Sequence, residues 1–343
     1  MKTPVNVSSR RRFLTGAVSA SALMLLGLKT HATTPEPKKS TYRLLDMDWH
    51  DNQRDRTVPV RLYLPLATDK GYQAPLVVFS HGIGGSRYGY SYLGWHWASE
   101  GFASLHLQHV GSDRKIWTGG SPFAVVDRLQ TAAQEAEAID RAHDLSFALN
   151  QVLGSSLAPL IDNRRIVAAG HSYGANTTLL AAGAQVQRQG KMLELLDSRL
   201  KAAILISAPP FYGESSSDRI LTPVRVPTLH ITSTDDVIRI PGYYSGAEDR
   251  IAIFDAVGSS RKMLAVFLGG SHSIFTDRSG TGGILLNAQV KNATCELTTA
   301  FMHSALGHGE HGLQTWPHRH ASILSRFTDF YSSNVPVIAT PAS

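Results

Sequence analysis

The chain has 343 residues, 43% hydrophobic and 17% charged, which excludes a disordered polymer and suits one large α/β domain. Five of its six net positive charges come from Lys2, Arg10, Arg11, Arg12 and Lys29 in the first 32 residues, which hold no Asp or Glu. The remainder is near neutral, so a nucleic-acid partner is not expected despite a pI of about 9.4, and a single cysteine, Cys295, excludes an internal disulfide.

The N-terminus reads as a targeting segment. Ser9-Arg10-Arg11-Arg12-Phe13-Leu14 fits a twin-arginine motif, and the apolar stretch from Thr15 to Leu28 is too short for a good membrane span. Thr30-His31-Ala32 offers a small-residue cleavage site after Ala32. Residues 1–32 are therefore expected to be a signal read by the twin-arginine export machinery, delivering a folded protein to the periplasm or beyond. Residues 33–41 form a linker, 42–332 the folded domain and 333–343 a loose tail.

Tyr42 to Trp49 and Val58 to Leu64 alternate apolar and polar residues and predict an antiparallel pair at a sheet edge. Leu76-Val77-Val78-Phe79 predicts a buried strand ending at Ser80-His81-Gly82. Ser91 to Ser99 predicts a helix stopped by Gly101, and Phe102 to Leu107 the next strand. After a loop from Gln108 to Pro122, one long helix is expected from Val125 to Leu153, ending at Gly154. Ile166 to Ala169 then leads as a strand into Gly170-His171-Ser172-Tyr173-Gly174, and a helix begins at Ala175. Further strands are expected at Ala202 to Ile206, Pro227 to Thr232 and Lys262 to Leu268. Strands separated by helical stretches imply a mostly parallel sheet with helices on both faces, and ligands on such sheets bind beyond the strands' carboxyl ends.

A strand, a Gly-x-Ser-x-Gly turn and a helix make a nucleophile elbow, the device of α/β-hydrolases. A serine hydroxyl needs a base, and the base needs an orienting carboxylate. In that fold they follow in the order Ser, acid, His. Here Ser172 is followed by Asp235 or Asp236 and then by His272, each just after a predicted strand. His272 is preferred among 15 histidines because an apolar strand and two glycines precede it, whereas His303, His308, His311, His318 and His320 lie on or beyond a C-terminal helix. Adjacent Asp235 and Asp236 are not separable by position alone. The oxyanion donors are expected to be the backbone N–H of Tyr173 and of Ile83, the latter in the loop His81-Gly82-Ile83-Gly84-Gly85. That loop lacks a P-loop lysine and Rossmann spacing. No cofactor and no metal are expected.

Residues 77–86, Glu100-Gly101-Phe102, the stretch His106 to Trp117, the elbow and Gly270-Ser271-His272-Ser273 together resemble the platelet-activating-factor acetylhydrolase-like hydrolases, whose bacterial members are often labelled predicted dienelactone hydrolases. The resemblance runs from about residue 75 to 275. It implies an α/β-hydrolase fold, metal-independent serine hydrolysis of short-acyl esters, and oxyanion donors at Ile83 and Tyr173. Similarity to the polyester hydrolases and cutinases, whose acid loop carries Asp-x-Ile, favours Asp236 through Asp236-Val237-Ile238. Their Ser-Ala-Pro-Trp turn is similar to Ser207-Ala208-Pro209-Pro210, with Pro210 in place of the aryl-stacking tryptophan. The expected function is an exported serine esterase acting on a small-molecule ester. A lactone, dienelactone or polyester hydrolase on the same triad is the alternative, and an inactive binding protein on the same fold the rival from another class. The aromatic residues Tyr88, Tyr90, Tyr92, Trp95 and Trp97 read as a helix packed on the sheet, and the loop Gly242 to Arg250 as a rim of the substrate entrance.

Overall fold

The computed structural model describes residues 41–330, apart from 189, 215, 241, 308, 310 and 311. The expected signal segment, all of the linker but Thr41, and the tail lie outside the described residues, as do His308 and His311.

The chain opens with β1 (Tyr42–Asp51) and β2 (Arg56–Pro65), an antiparallel ladder pairing Tyr42 with Pro65 and Asp51 with Arg56. Then come β3 (Ala74–Ser80), α1 (Ser91–Ser99), β4 (Ala103–Leu107), α2 (Pro122–Ala132), α3 (Glu135–Gly154) and β5 (Ile161–His171). They are followed by α4 (Tyr173–Ala181), a small hairpin of β6 (Gln187–Arg188) and β7 (Lys191–Met192), then β8 (Leu200–Ile206) and α5 (Ser217–Leu221). The last part holds β9 (Thr228–Asp235), a hairpin of β10 (Ile238–Ile240) and β11 (Tyr243–Ser245), α6 (Ala247–Ala256), β12 (Lys262–Ser271), α7 (Ile284–Ala305), α8 (Trp316–Arg319) and β13 (Leu324–Thr328).

Nine strands form one sheet in the order β1-β2-β4-β3-β5-β8-β9-β12-β13. The strands from β4 to β12 run parallel, and antiparallel β1, β2 and β13 complete the edges. Alternation of side chains across the sheet divides the core. Val77 and Phe79 pack with Leu93, Trp97 and Phe301 under α1 and α7. Leu76 and Val78 pack with Leu145 and Leu149 of α3 on the other face. Each such side chain, removed fully from water, contributes about 1.5–3 kcal/mol before entropy is counted. Trp97 is fully buried and donates its Nε1–H to Thr298 Oγ1 at 2.9 Å, which ties α1 to α7.

Two expectations need correction. The single helix from Val125 to Leu153 is two helices. Gln134 adopts an extended backbone (φ −68°, ψ 154°), and α3 restarts at Glu135 with Glu135 and Glu137 in its first turn, where carboxylates suit the helix dipole. No Gly or Pro marks the break. The start of α2 had a signal: Ser121 caps it by accepting the Ala124 N–H, and Pro122 occupies the first turn. The strand β13 was not anticipated. It is short, and its register against β12 shifts between Val266 and Phe267.

Candidate active site

The parallel strands end in register. Ser80 of β3 lies beside Gly170 of β5, and Asp235 of β9 beside Ser271 of β12. The side chains that follow these ends share one edge of the sheet.

Ser172 stands at the apex between β5 and α4 with φ 55° and ψ −125°, a conformation costing a non-glycine residue of order 1–3 kcal/mol. The flanking glycines make the turn fit. A Cβ on Gly170 would lie 2.1 Å from the Gly174 carbonyl oxygen, and one on Gly174 would lie 1.9 Å from that of Ser80. The Ser172 N–H is fixed by Ile206 O at 2.9 Å.

His272 follows β12 directly. Its Nε2 is 2.8 Å from Ser172 Oγ and its Nδ1 is 2.7 Å from Asp236 Oδ1. A carboxylate only accepts, so Nδ1 carries the proton and Nε2 accepts from the serine hydroxyl. Asp236 is fully buried and also accepts from Thr232 Oγ1 at 2.7 Å and from Arg250 Nη2 at 3.4 Å. Burial works to raise its carboxyl, but the hydrogen bond and charge of His272 and the Arg250 charge outweigh it and hold the group well below the usual carboxylate range. Asp235, one residue earlier, is exposed, and its carboxylate accepts from Thr234 Oγ1 at 3.3 Å. Asp235 is the last residue of β9, and Asp236 lies just past it in a turn closed by its N–H on Ser233 O at 3.2 Å.

A second chain of hydrogen bonds joins three loops. His171 Nε2 donates to the His272 carbonyl at 3.0 Å. Its Nδ1 accepts from Tyr90 Oη at 2.8 Å, and that oxygen accepts the Gly82 N–H at 3.3 Å. Burial pushes the His171 imidazole down to about 3, so the ring stays neutral. The elbow, the histidine loop and the Gly-rich loop are thus tied through a single imidazole.

Arg141, fully buried in the middle of α3, spans the Gly-rich loop and the elbow helix. Its Nη2 donates to the His81 carbonyl, its Nη1 to Ser112 Oγ at 2.7 Å and its Nε to Thr177 Oγ1 at 2.9 Å. Its guanidinium lies 4.5 Å from the centre of the Tyr173 ring. Ser112 Oγ in turn donates a hydrogen bond to Glu137 Oε1 at 2.7 Å, a carboxylate that Arg56 also holds at 3.0 Å. Beside this network runs a relay of the same types as the first: Ser80 Oγ to His109 Nε2 at 3.1 Å, and His109 Nδ1 to Asp144 Oδ2 at 3.0 Å. All three residues have side chains sealed from solvent. Burial works to raise Asp144, and His109 and Arg56 overcome it, leaving the carboxyl at about 2. Burial drives His109 down to about 3.

Two cavities meet at Ser172. One, of about 180 Å³, is walled mainly by apolar side chains, among them Ile83, Leu129, Ile139, Leu180, Phe211 and Ile238. The other, of about 410 Å³, lies on the His272 side and includes Gly82 to Ser86, Trp117 and Asp277. Ile83 lines both and Tyr173 the first. The N–H groups on either side of Ile83 are engaged, Gly82 by Tyr90 Oη and Gly84 by Ser112 O at 2.8 Å.

Ser172, Asp236 and His272 therefore come together, with Ile83 and Tyr173 beside them. Sequence reasoning missed Arg141, His109, Asp144, Tyr90 and Arg250. A signal existed for part of this set. Glu137, Arg141, Asp144 and Ala148 recur at helical spacing on one buried stripe of α3, an unusual place for three charges. The aromatic run behaves as expected at Trp97 and Tyr92, which join the core, while Trp95 is about half exposed. Cys295 is buried, and burial raises its thiol to about 12.

A family model described as platelet-activating factor acetylhydrolase, isoform II, matches residues 40–118. Platelet-activating factor acetylhydrolase of Cavia porcellus is 24% identical over 269 residues, which cover 66% of this chain and 54% of that protein. The protein of the same name from Canis lupus familiaris is 29% identical over 157 residues, covering 36% of this chain and 35% of that one. The chain thus spans about half the length, or less, of these relatives. A ferulic acid esterase from Streptomyces cinnamoneus superposes with a TM-score of 0.58 at 20% identity, over 80% of this chain and 93% of that one. The chain has the mostly parallel sheet and the elbow of an α/β-hydrolase fold, and its sequence is similar to the platelet-activating factor acetylhydrolases.

Proposed function

We propose that the protein is a serine esterase that hydrolyses short-acyl carboxylic esters. The observation that carries this reading is the relay Ser172–His272–Asp236, with a strained serine opening onto an apolar cavity. Ser172 Oγ attacks the ester carbonyl as its proton passes to His272 Nε2. Asp236 keeps the imidazole in the correct tautomer and stabilises its cationic form. The N–H groups of Ile83 and Tyr173 donate to the oxyanion. The tetrahedral intermediate collapses, the C–O bond to the alcohol breaks, and His272 returns its proton to the departing oxygen. Water then attacks the acyl-enzyme by the same path and releases the acid. Short acyl groups are favoured here by analogy with the acetylhydrolase relatives.

Export through the twin-arginine route belongs to the same proposal and rests on residues 9–14. Among the described residues no helix is long and apolar enough to cross a membrane.

The test is Ser172→Ala assayed on p-nitrophenyl butyrate, together with fluorophosphonate labelling. Turnover is expected to fall ~10⁴-fold or more, with labelling lost and the folded state kept. Undiminished turnover in that variant sinks the assignment.

A further inference from the structure

One polar side chain in the wall of the apolar cavity stands without a partner, and it bears on the acyl half of the substrate. Asn176 lines this cavity and is only 7% exposed. Among the described residues its Oδ1 accepts no hydrogen bond and its Nδ2 donates none. Of the two atoms Oδ1 is the one sealed off, which leaves the amide nitrogen toward the cavity. Other polar side chains in the same wall are matched. Arg188 pairs with Glu135 and with Glu214, the latter at 2.6 Å, and Tyr212 Oη meets Ser245 Oγ at 2.9 Å.

The helix itself gives no reason for the amide. Asn is a poor helix former, and a buried amide left unpaired weighs against folding. The next two residues of α4 show the alternative: the Thr177 and Thr178 hydroxyls donate back to the Tyr173 and Gly174 carbonyls at 3.1 and 2.9 Å. Asn176 makes no such bond. A leucine of nearly the same size would fill the place without that penalty.

Its position relative to the nucleophile suits recognition. The Asn176 N–H reaches the Ser172 carbonyl at 3.4 Å, so the residue lies one helical turn past the serine. Side chains spaced in this way are about 5–6 Å apart. With an acyl carbonyl bonded to Ser172 Oγ, the second and third acyl carbons fall within that span. An anion there would meet Glu135 and Glu214, which Arg188 already answers, and an ammonium would lose its water among apolar walls. A half rotation of the carboxamide presents either a donor or an acceptor, and a hydroxyl is the small neutral group that answers both.

We propose that the ester's acyl group carries a hydroxyl on its second or third carbon, held by Asn176. The proposal rests on the serine-esterase reading above and makes Asn176 a residue of specificity.

Ethyl butyrate and both enantiomers of ethyl 2-hydroxybutyrate and ethyl 3-hydroxybutyrate test it on the full-length enzyme, each rate divided by that of alkaline hydrolysis. At least one hydroxy ester is expected to exceed ethyl butyrate about 10-fold or more in kcat/KM and to exceed its own enantiomer. In Asn176→Leu both ratios should fall to about 1. Asn176→Ala, which only removes atoms, gives the same reading if leucine is not accommodated. The favoured ester shows which carbon bears the hydroxyl. Equal or lower kcat/KM for every hydroxy ester, or a preference that survives replacement of Asn176, overturns the proposal. So does fluorophosphonate labelling without turnover of any hydroxy ester. Turnover of none of the esters, with no labelling, overturns the esterase reading instead.

Discussion

Among the described residues two Ser–His–Asp relays have nearly equal geometry, and of their serines Ser172 lines the two cavities described above. In Ser172–His272–Asp236 the two hydrogen bonds are 2.8 and 2.7 Å. In Ser80–His109–Asp144 they are 3.1 and 3.0 Å. The chemistry and the order of bonds match, but the surroundings differ. Ser172 sits on a strained turn beside two cavities, with a Gly-rich loop next to it. Ser80 ends a regular strand, is fully buried and lines neither of the cavities that meet at Ser172. Asp236 has one charged partner besides His272, whereas Arg54 and Arg56 both grip Asp144. A relay is poised for attack where a reacting carbon can approach and its charge be received. Elsewhere the same bonds serve as a clamp, here on the start of the Gly-rich loop.

Serine exchange breaks the comparison most sharply. Ser172→Ala is expected to remove ~10⁴-fold or more of turnover, while Ser80→Ala changes kcat/KM less than ~10-fold and costs about 1–2 kcal/mol of stability. Paired kinetics and urea denaturation check both, and a collapse of turnover in folded Ser80→Ala would erase the distinction. The acids come next. Asp236→Asn should lower kcat by about 10³–10⁴ and Asp235→Asn by less than about 3-fold. A larger loss at Asp235 reassigns the acid.

Arg141→Met probes the frame between the relays. Since Arg141 holds both the His81 carbonyl and the helix carrying Tyr173, kcat should fall about 10–100-fold with KM little changed. Thr177→Val, which removes a single one of its acceptors, should cost only a few-fold, and a KM effect without a kcat effect would refute this role. A separate effect, on stability alone, concerns pH. Burial lowers His106, His171 and His230 to about 3. The unfolded chain takes up protons at these rings below about 6.5, and the folded one does not. Their contribution is fully present above pH 6.5 and is lost as pH falls toward 3, at up to ~1.4 kcal/mol per ring per pH unit. Urea midpoints should decline steadily between pH 6.5 and 5, and a flat profile would contradict it.

Most strands were legible because each is a short apolar run stopped by a turn, and the edge pair showed its alternation. The positions of Ser172 and His272 were legible for the same reason, since each follows such a run directly. Asp236 was separable from Asp235 only through resemblance, because what divides them is the turn that begins at the strand's last residue. The break at Ala133 and Gln134 left no trace, having no helix-breaking residue. Arg56 and Asp144 meet across 88 positions, so local pattern does not report their contact.

That break has a consequence for adaptation. Leu129 on one side of it, and Ala133, Glu135, Ala138 and Ile139 on the other, line the apolar cavity. None of them belongs to the sheet that aligns Ser172, Asp236 and His272. The wall side chains are thus adjustable apart from the strands that carry the triad, provided that Arg141 on the same α3 keeps its place. A bulkier side chain at Ala133 or Ala138 would shorten the acyl site and retune acyl-chain choice, while leaving the attack geometry on the other layer untouched.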